Sequence, residues 1–354
     1  MKEVLAWVAA SPDKFLLVKG ITGLGDRILS ALGGILYAQL SGRTLLIDWS
    51  DPFYSSNGDN VFHRFFESPF CSPTDDIPAT DSVYPHIWRG RLLEHATQIA
   101  REREFNPDEI RRALSIDLGK LDYLEDLLVL VEYDALVDRL RPHFHGAFQE
   151  LAQIPTAGIL AKLLREDLLL RSEIRARVDH FKSNRFSART VGVHVRYSDY
   201  RVRIFAIIKQ LNALLKRKPD LQIFLATDNI EIKKMFEGNF PGVVSAPHWY
   251  AKPGSPIHVD RTRPNRTETA IEALIDLYLL ANCDHLIFDG SSSFARVANL
   301  LSPVPAHNKL DVDPSGHGRK KRRFRGAITR ILRGARFSSW GFRLLPKLVP
   351  IRRL

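Results

Sequence analysis

Cysteine is nearly absent from this chain. Its 354 residues hold only Cys71 and Cys283, far apart and without a metal-ligand pattern around either. That argues against a disulfide framework or a cysteine zinc site and fits a reduced, cytoplasmic setting. Long apolar runs are missing as well. None approaches the roughly 20 residues a membrane helix needs. The balance of 45% hydrophobic and 26% charged residues is ordinary for a soluble globular protein. The N-terminus carries Glu3, Pro12 and Asp13 and no apolar stretch with a small-residue cleavage site, so no secretory signal is expected. Acidic residues vanish from one region, Arg319 to Arg353, which holds 13 Lys and Arg. Setting those aside leaves 38 basic residues against 40 acidic ones, so the net charge of +11 belongs to that tail. The rest is close to neutral and carries no recognised nucleic-acid motif, which disfavours nucleic acid as a partner.

What is present reads as α/β, and the length suggests two domains. An apolar run, Phe15 to Val18, leads through Gly23-Leu-Gly25-Asp26 into helical spacing of Ile28, Leu29, Leu32, Ile35, Leu36 and Leu40. Thr44 to Asp48 then reads as a buried parallel strand, and Leu127 to Val131 as another. Residues 52–85, rich in Pro, Ser, Asp and aromatics, are expected to be irregular, and 144–181 to be helical. A second α/β pattern starts at Thr190-Val-Gly-Val-His-Val195. It runs through a helix near 203–217, a strand at 221–227, helices near 230–237 and 268–281, and a strand at 285–289. Ser291-Ser-Ser293 opens a last helix. The expected layout is an N-terminal Rossmann-like domain over 1–185, a C-terminal one over 186–315 facing it across a central cleft, and a tail over 316–354.

Several motifs fall at strand ends, where open α/β sheets hold ligands. The Gly23, Gly25, Asp26 turn opens a helix whose free N–H groups favour an anion. It lacks the third glycine of the dinucleotide fingerprint, and a purely structural turn is the competing reading. His194 and Arg196 share one side of their strand, and an arginine there offers a planar fork to phosphate oxygens. A core histidine and a structural ion pair would explain the same residues. Thr227 and Asp228 end the next strand. Ser291, Ser292 and Ser293 end a later one, with Arg296 one turn on, a plausible diphosphate cradle that plain serine N-capping also explains. Asp276 sits inside an apolar helical stretch. It is either a border residue or a carboxylate accepting two hydrogen bonds from a base edge.

Taken in order, these motifs resemble the nodulation-type fucosyltransferases of rhizobia and, more distantly, the animal core α-1,6-fucosyltransferases. The resemblance spans about 15–312. It rests on Gly23-Leu-Gly25-Asp26 with Thr44 to Trp49, Leu170 to Val178, Val191 to Arg196, Phe224 to Asp228, and Ala273 to Ala281. It implies a GT-B-like fold and an inverting transfer from GDP-fucose without a metal or other cofactor. By that resemblance Arg196 binds the β-phosphate, His194 and Asp276 contact guanine or its ribose, Ser291 and Ser292 match a phosphate-side serine pair, and Asp228 lies in the nucleotide pocket. The core enzymes carry a second arginine where this chain has Tyr197, and their acidic acceptor loop is much shorter here. Asp199 is the candidate general base by its closeness to Arg196, with helix capping as the other reading. Two alternatives stay open: another nucleotide-sugar donor, or a catalytically silent nucleotide-sugar-binding protein. The acceptor is expected to be a surface glycan or lipid-linked oligosaccharide. The tail mixes arginines with Ile328, Leu332, Phe337, Trp340 and Phe342, which suggests an anionic membrane surface as a partner and a peripheral place on the inner face of the plasma membrane. Nucleic-acid binding by the tail and a disordered solubilising tail are the alternatives.

Overall fold

The computed structural model describes residues 11–198, 202–251, 260, 262–263 and 265–313. The chain divides into two compact units, Met1–Arg175 and Ala176–Leu354.

The first unit runs through β1 (Ser11–Lys19), α1 (Leu24–Ser41), β2 (Arg43–Asp48), α2 (Phe62–Phe65), β3 (Phe66–Glu67) and β4 (Val83–Tyr84). It continues with α3 (Ala96–Glu102), α4 (Pro107–Leu114), β5 (Leu127–Leu130), α5 (Val137–Leu140), α6 (Thr156–Glu166) and β6 (Leu169–Leu170). Its main sheet is parallel throughout, in the order β2-β1-β5-β4. Helix α1 is apolar on nearly every side and is buried from Leu24 to Gln39, as a central helix must be. It stops at Gly42, whose φ of 65° is the left-handed geometry glycine adopts without steric cost, with its N–H bonded to Ala38 O. The stretch 52–85 carries only α2, β3 and β4 as helix or strand, and α2 and β3 gather around the buried ring of Trp49, which meets Phe62, Phe65 and Phe66 at centroid distances of 5.4, 6.2 and 6.0 Å.

The region 144–181 is not one helical stretch. It breaks into a 3₁₀ segment (Gly146–Gln153), α6, β6 and α7 (Ser172–Arg185). Pro155 cannot continue the preceding turns. Leu169 and Leu170 leave helical geometry to pair with Glu67 and Phe66. Tertiary pairing overrides the local periodicity.

The second unit carries β7 (Thr190–Val195), α8 (Ile204–Arg217), β8 (Gln222–Thr227), α9 (Ile230–Asn239) and β9 (Val243–Val244). After them come α10 (Arg266–Ala281), β10 (His285–Phe288), α11 (Ser293–Leu301) and β11 (Lys309–Asp311). All five strands are parallel, in the order β11-β10-β7-β8-β9. Every residue of β7 is buried, the mark of a central strand covered on both faces. Val191, Val193 and Val195 pack on Ile204, Ile207, Leu211 and Leu214, the three-and-four-spaced face of α8. The chain leaves β7 toward β8 and β9, then returns through α10 to β10 on the other side of β7. That reversal makes the carboxyl ends of β10, β7 and β8 the topological switch point, where sheets of this kind open a crevice.

Candidate functional site

Arg196 follows the last residue of β7, and Asp228 follows the last residue of β8. Val195 and Thr227 are register partners, so the two side chains arrive together. Arg196 Nε lies 4.0 Å from Asp228 Oδ2, with both side chains partly exposed. The same carboxylate accepts the Tyr197 N–H at 2.7 Å and the Ser198 hydroxyl. Asn229 caps α9 by accepting from Glu231 N and Ile232 N, and its Nδ2 donates to Tyr197 O at 3.3 Å. The turn after β7 is thus tied to the turn after β8. Asp199 lies outside the described residues.

His194, two residues before Arg196, is buried and stacks on Phe294, with centroids 5.2 Å apart and ring planes 23° from parallel. Burial and the nearby Arg196 drive its pKa down to about 3, against the opposing pull of Asp289. The imidazole is therefore neutral at physiological pH, and its Nδ1 finds no hydrogen-bond partner among the described residues.

The end of β10 is shaped by Asp289, which is fully buried. Its Oδ1 accepts the Ser291 N–H at 3.0 Å and the Ser291 hydroxyl, and its Oδ2 accepts the Arg203 N–H at 3.2 Å. Gly290 donates its N–H to Asp311 Oδ1 at 2.8 Å, and a Cβ at 290 would run into that carboxylate. The loop so fixed presents Ser292 as the N-cap of α11, with Ser293 as the first helical residue and Arg296 one turn on. Ser292 does not cap. Its side chain makes no bond to the helix, and Oγ is buried and unpartnered among the described residues. A buried hydroxyl left unpaired costs about 1–3 kcal/mol, and the helix end does not use this one.

Asp276 projects from the middle of α10, and burial, reinforced by Glu272 and opposed by Lys233, pushes its pKa well above the usual carboxylate range. Its Oδ2 lies 3.4 Å from Nδ1 of His248, and both side chains are buried. His248 Nε2 donates to Thr227 O at 3.0 Å. Tyr250 sits against the imidazole, with ring centroids 4.2 Å apart. Sequence reading did not single out His248, Tyr250, Asp289 or Arg203. Asp289 closes the predicted strand and was within reach, but the 245–251 segment has no periodicity that could announce a contact with α10.

Gly23, Gly25 and Asp26 belong to the first unit. Gly23 is the N-cap of α1, and Thr22 before it holds a φ of 61°, unusual for a β-branched residue. The turn is held from beneath. The fully buried Arg27 donates through Nε to Thr22 O at 3.0 Å and pairs with Asp51 at 2.5 Å, while the Thr22 hydroxyl lies 2.8 Å from Asp26 Oδ2. Lys19, at the end of β1, pairs with Asp48 at the end of β2 at 2.7 Å.

Among the described residues no group of three or more His, Cys, Asp or Glu side chains is arranged to hold a metal ion, and no helix is long and apolar enough to cross a membrane. A family model described as Nodulation protein Z matches residues 202–319. Nodulation protein Z of Sinorhizobium fredii is 24% identical over 335 residues, covering 86% of this chain and 95% of the relative. The Bradyrhizobium diazoefficiens protein is 25% identical over 332 residues, covering 83% and 80%. Among solved structures, a NodZ α-1,6-fucosyltransferase soaked with GDP-fucose matches with a TM-score of 0.60 and 27% identity over 86% of this chain and 96% of that one. With its two parallel-sheet α/β units and this run of matches, the chain is related to nodulation protein Z and has a GT-B-like fold.

Proposed function

We propose that the protein transfers fucose from GDP-fucose to a hydroxyl group of a glycan acceptor, with inversion at the anomeric carbon. The observation that carries this reading is the meeting of Arg196, Asp228, His194 and Ser292 at one switch-point edge, on the neighbouring strands β10, β7 and β8. The donor sugar is assigned by likeness to the NodZ α-1,6-fucosyltransferase, which was soaked with GDP-fucose.

In this reading the acceptor oxygen attacks the anomeric carbon as the bond to the β-phosphate oxygen breaks, and negative charge grows on the departing diphosphate. Donors fixed in advance at that point lower the barrier, because they need not reorganise as the charge appears. Arg196 supplies a guanidinium, and the N-terminus of α11 supplies free N–H groups and the positive end of its dipole. The Ser292 hydroxyl, idle as a cap, supplies one more donor. Thr227, Asp228, Ser291, Ser293 and Arg296 shape the surrounding edge. Gly23, Gly25 and Asp26 complete the set on resemblance, as do the acceptor-side role of the first domain, the independence from metal and Asp199 as the base that takes the acceptor proton. The basic segment 316–354, outside the described residues, is assigned to an anionic membrane surface where lipid-linked acceptors are built, which would place the protein peripherally on the cytoplasmic face.

Arg196→Ala should lower kcat with GDP-fucose by about 10²–10³-fold, the usual cost of one transition-state donor, and should weaken GDP binding in calorimetry. Wild-type affinity for UDP without affinity for GDP would overturn the donor assignment.

A further inference from the structure

The contact between Asp276 and His248 carries an inference that rests on the GDP-sugar reading and goes past it. His248 Nε2 faces the Thr227 carbonyl at 3.0 Å, so that nitrogen must carry a hydrogen. In the neutral ring Nδ1 is then a bare acceptor, 3.4 Å from Asp276 Oδ2. The Asp276 Oδ1 atom is buried and finds no hydrogen-bond partner among the described residues. A carboxyl group held this way can read two adjacent N–H donors on a purine edge only as the carboxylate. We propose that His248 is a positioning residue that receives the Asp276 proton when such a base docks, so that an imidazolium–carboxylate pair reads the base. In that step the O–H bond of Asp276 breaks, an N–H bond forms at His248 Nδ1, and no proton leaves the protein.

The surroundings suit the transfer. Burial holds both groups neutral in the unliganded state, raising Asp276 and lowering His248. The charged form of His248 is favoured by Glu272 and by the Thr227 and Ala246 carbonyls, and opposed by Lys233 of α9. Glu272 is itself paired with Arg263, whose nitrogens lie 2.5 and 2.7 Å from its oxygens. Tyr250 packs on the imidazole, its hydroxyl kept protonated by burial and by Asp276, Glu237 and Asp228. A carboxylate formed without its imidazolium would stand alone in this setting, at a cost of several kcal/mol.

Proton counting tests the idea with GDP as the probe. Calorimetric titrations in buffers of different ionisation enthalpy, at about neutral pH, give the protons released per GDP bound. His248→Gln keeps an N–H for Thr227 O but cannot take a proton. It should release one proton more than wild type, and its affinity should gain about tenfold over wild type for each pH unit of rise. The comparison cancels the titration of the GDP phosphate, which both proteins share. Equal proton counts would overturn the proposal while leaving the donor reading intact. Absence of GDP binding to wild type would remove both. Should the variant fail to fold, imidazole nitrogen NMR of the wild type decides, since His248 must shift to the cationic pattern on GDP binding and a ring that stays neutral refutes the transfer.

Discussion

His194 shows how one buried side chain links the site to stability. Its imidazole has a pKa near 3 in the folded chain, against about 6.5 when unfolded. As the pH falls through that window the unfolded chain takes up a proton that the folded chain refuses, so stability is lost progressively on acidification. His194→Phe keeps a ring against Phe294 and removes the proton site. The wild-type urea midpoint should therefore fall relative to that of the variant between neutral pH and about pH 4. Parallel midpoints would mean the histidine is not the source. The sequence made this residue legible, because strand alternation set His194 and Arg196 apart from the valines. Ser292 was legible only as a choice between cap and ligand group, and the structure shows no capping bond. His248 was not legible at all. Its meeting with Asp276 depends on how α10 lies against the end of β8, and no local pattern encodes that.

Helix and strand ends do the work of aligning these groups. Asn229 is the clearest case, since its side chain closes the first turn of α9 and also holds the carbonyl of Tyr197 beyond Arg196. Asn229→Ala should cost about 0.5–2 kcal/mol through loss of the cap. It should also raise the KM for GDP-fucose, by loosening the turn that carries Arg196. A stability loss with an unchanged KM would confine Asn229 to capping. At this scale the second α/β pattern could be read strand by strand, because each buried run is bounded by polar turns. The 144–181 region could not. Its apolar residues keep helical spacing through Leu170, yet β6 forms because β3 offers a partner across about a hundred residues of chain.

At the scale of the whole molecule, charge is divided along the sequence, with near neutrality through the α/β portion and 13 basic residues between Arg319 and Arg353. Polybasic segments gain about 1 kcal/mol per Lys or Arg at an anionic bilayer. Flotation with phosphatidylserine vesicles should carry the full-length chain upward and leave a version lacking 316–354 behind, with the difference fading in high salt. Flotation unchanged by the deletion would discard the membrane assignment.

Where that deletion is cut matters, because β11 is more than the rim of a sheet. Asp311 anchors Gly290 and also accepts the N–H of Asp313, and Asp313, wholly buried, grips Arg203 at 2.8 Å. Trimming the gene just past Asp313 spares these tethers. Ending it three codons sooner would unmoor the serine loop and the start of α8 together, and a flotation assay of that shorter product would mistake a disordered sheet edge for the loss of the basic segment.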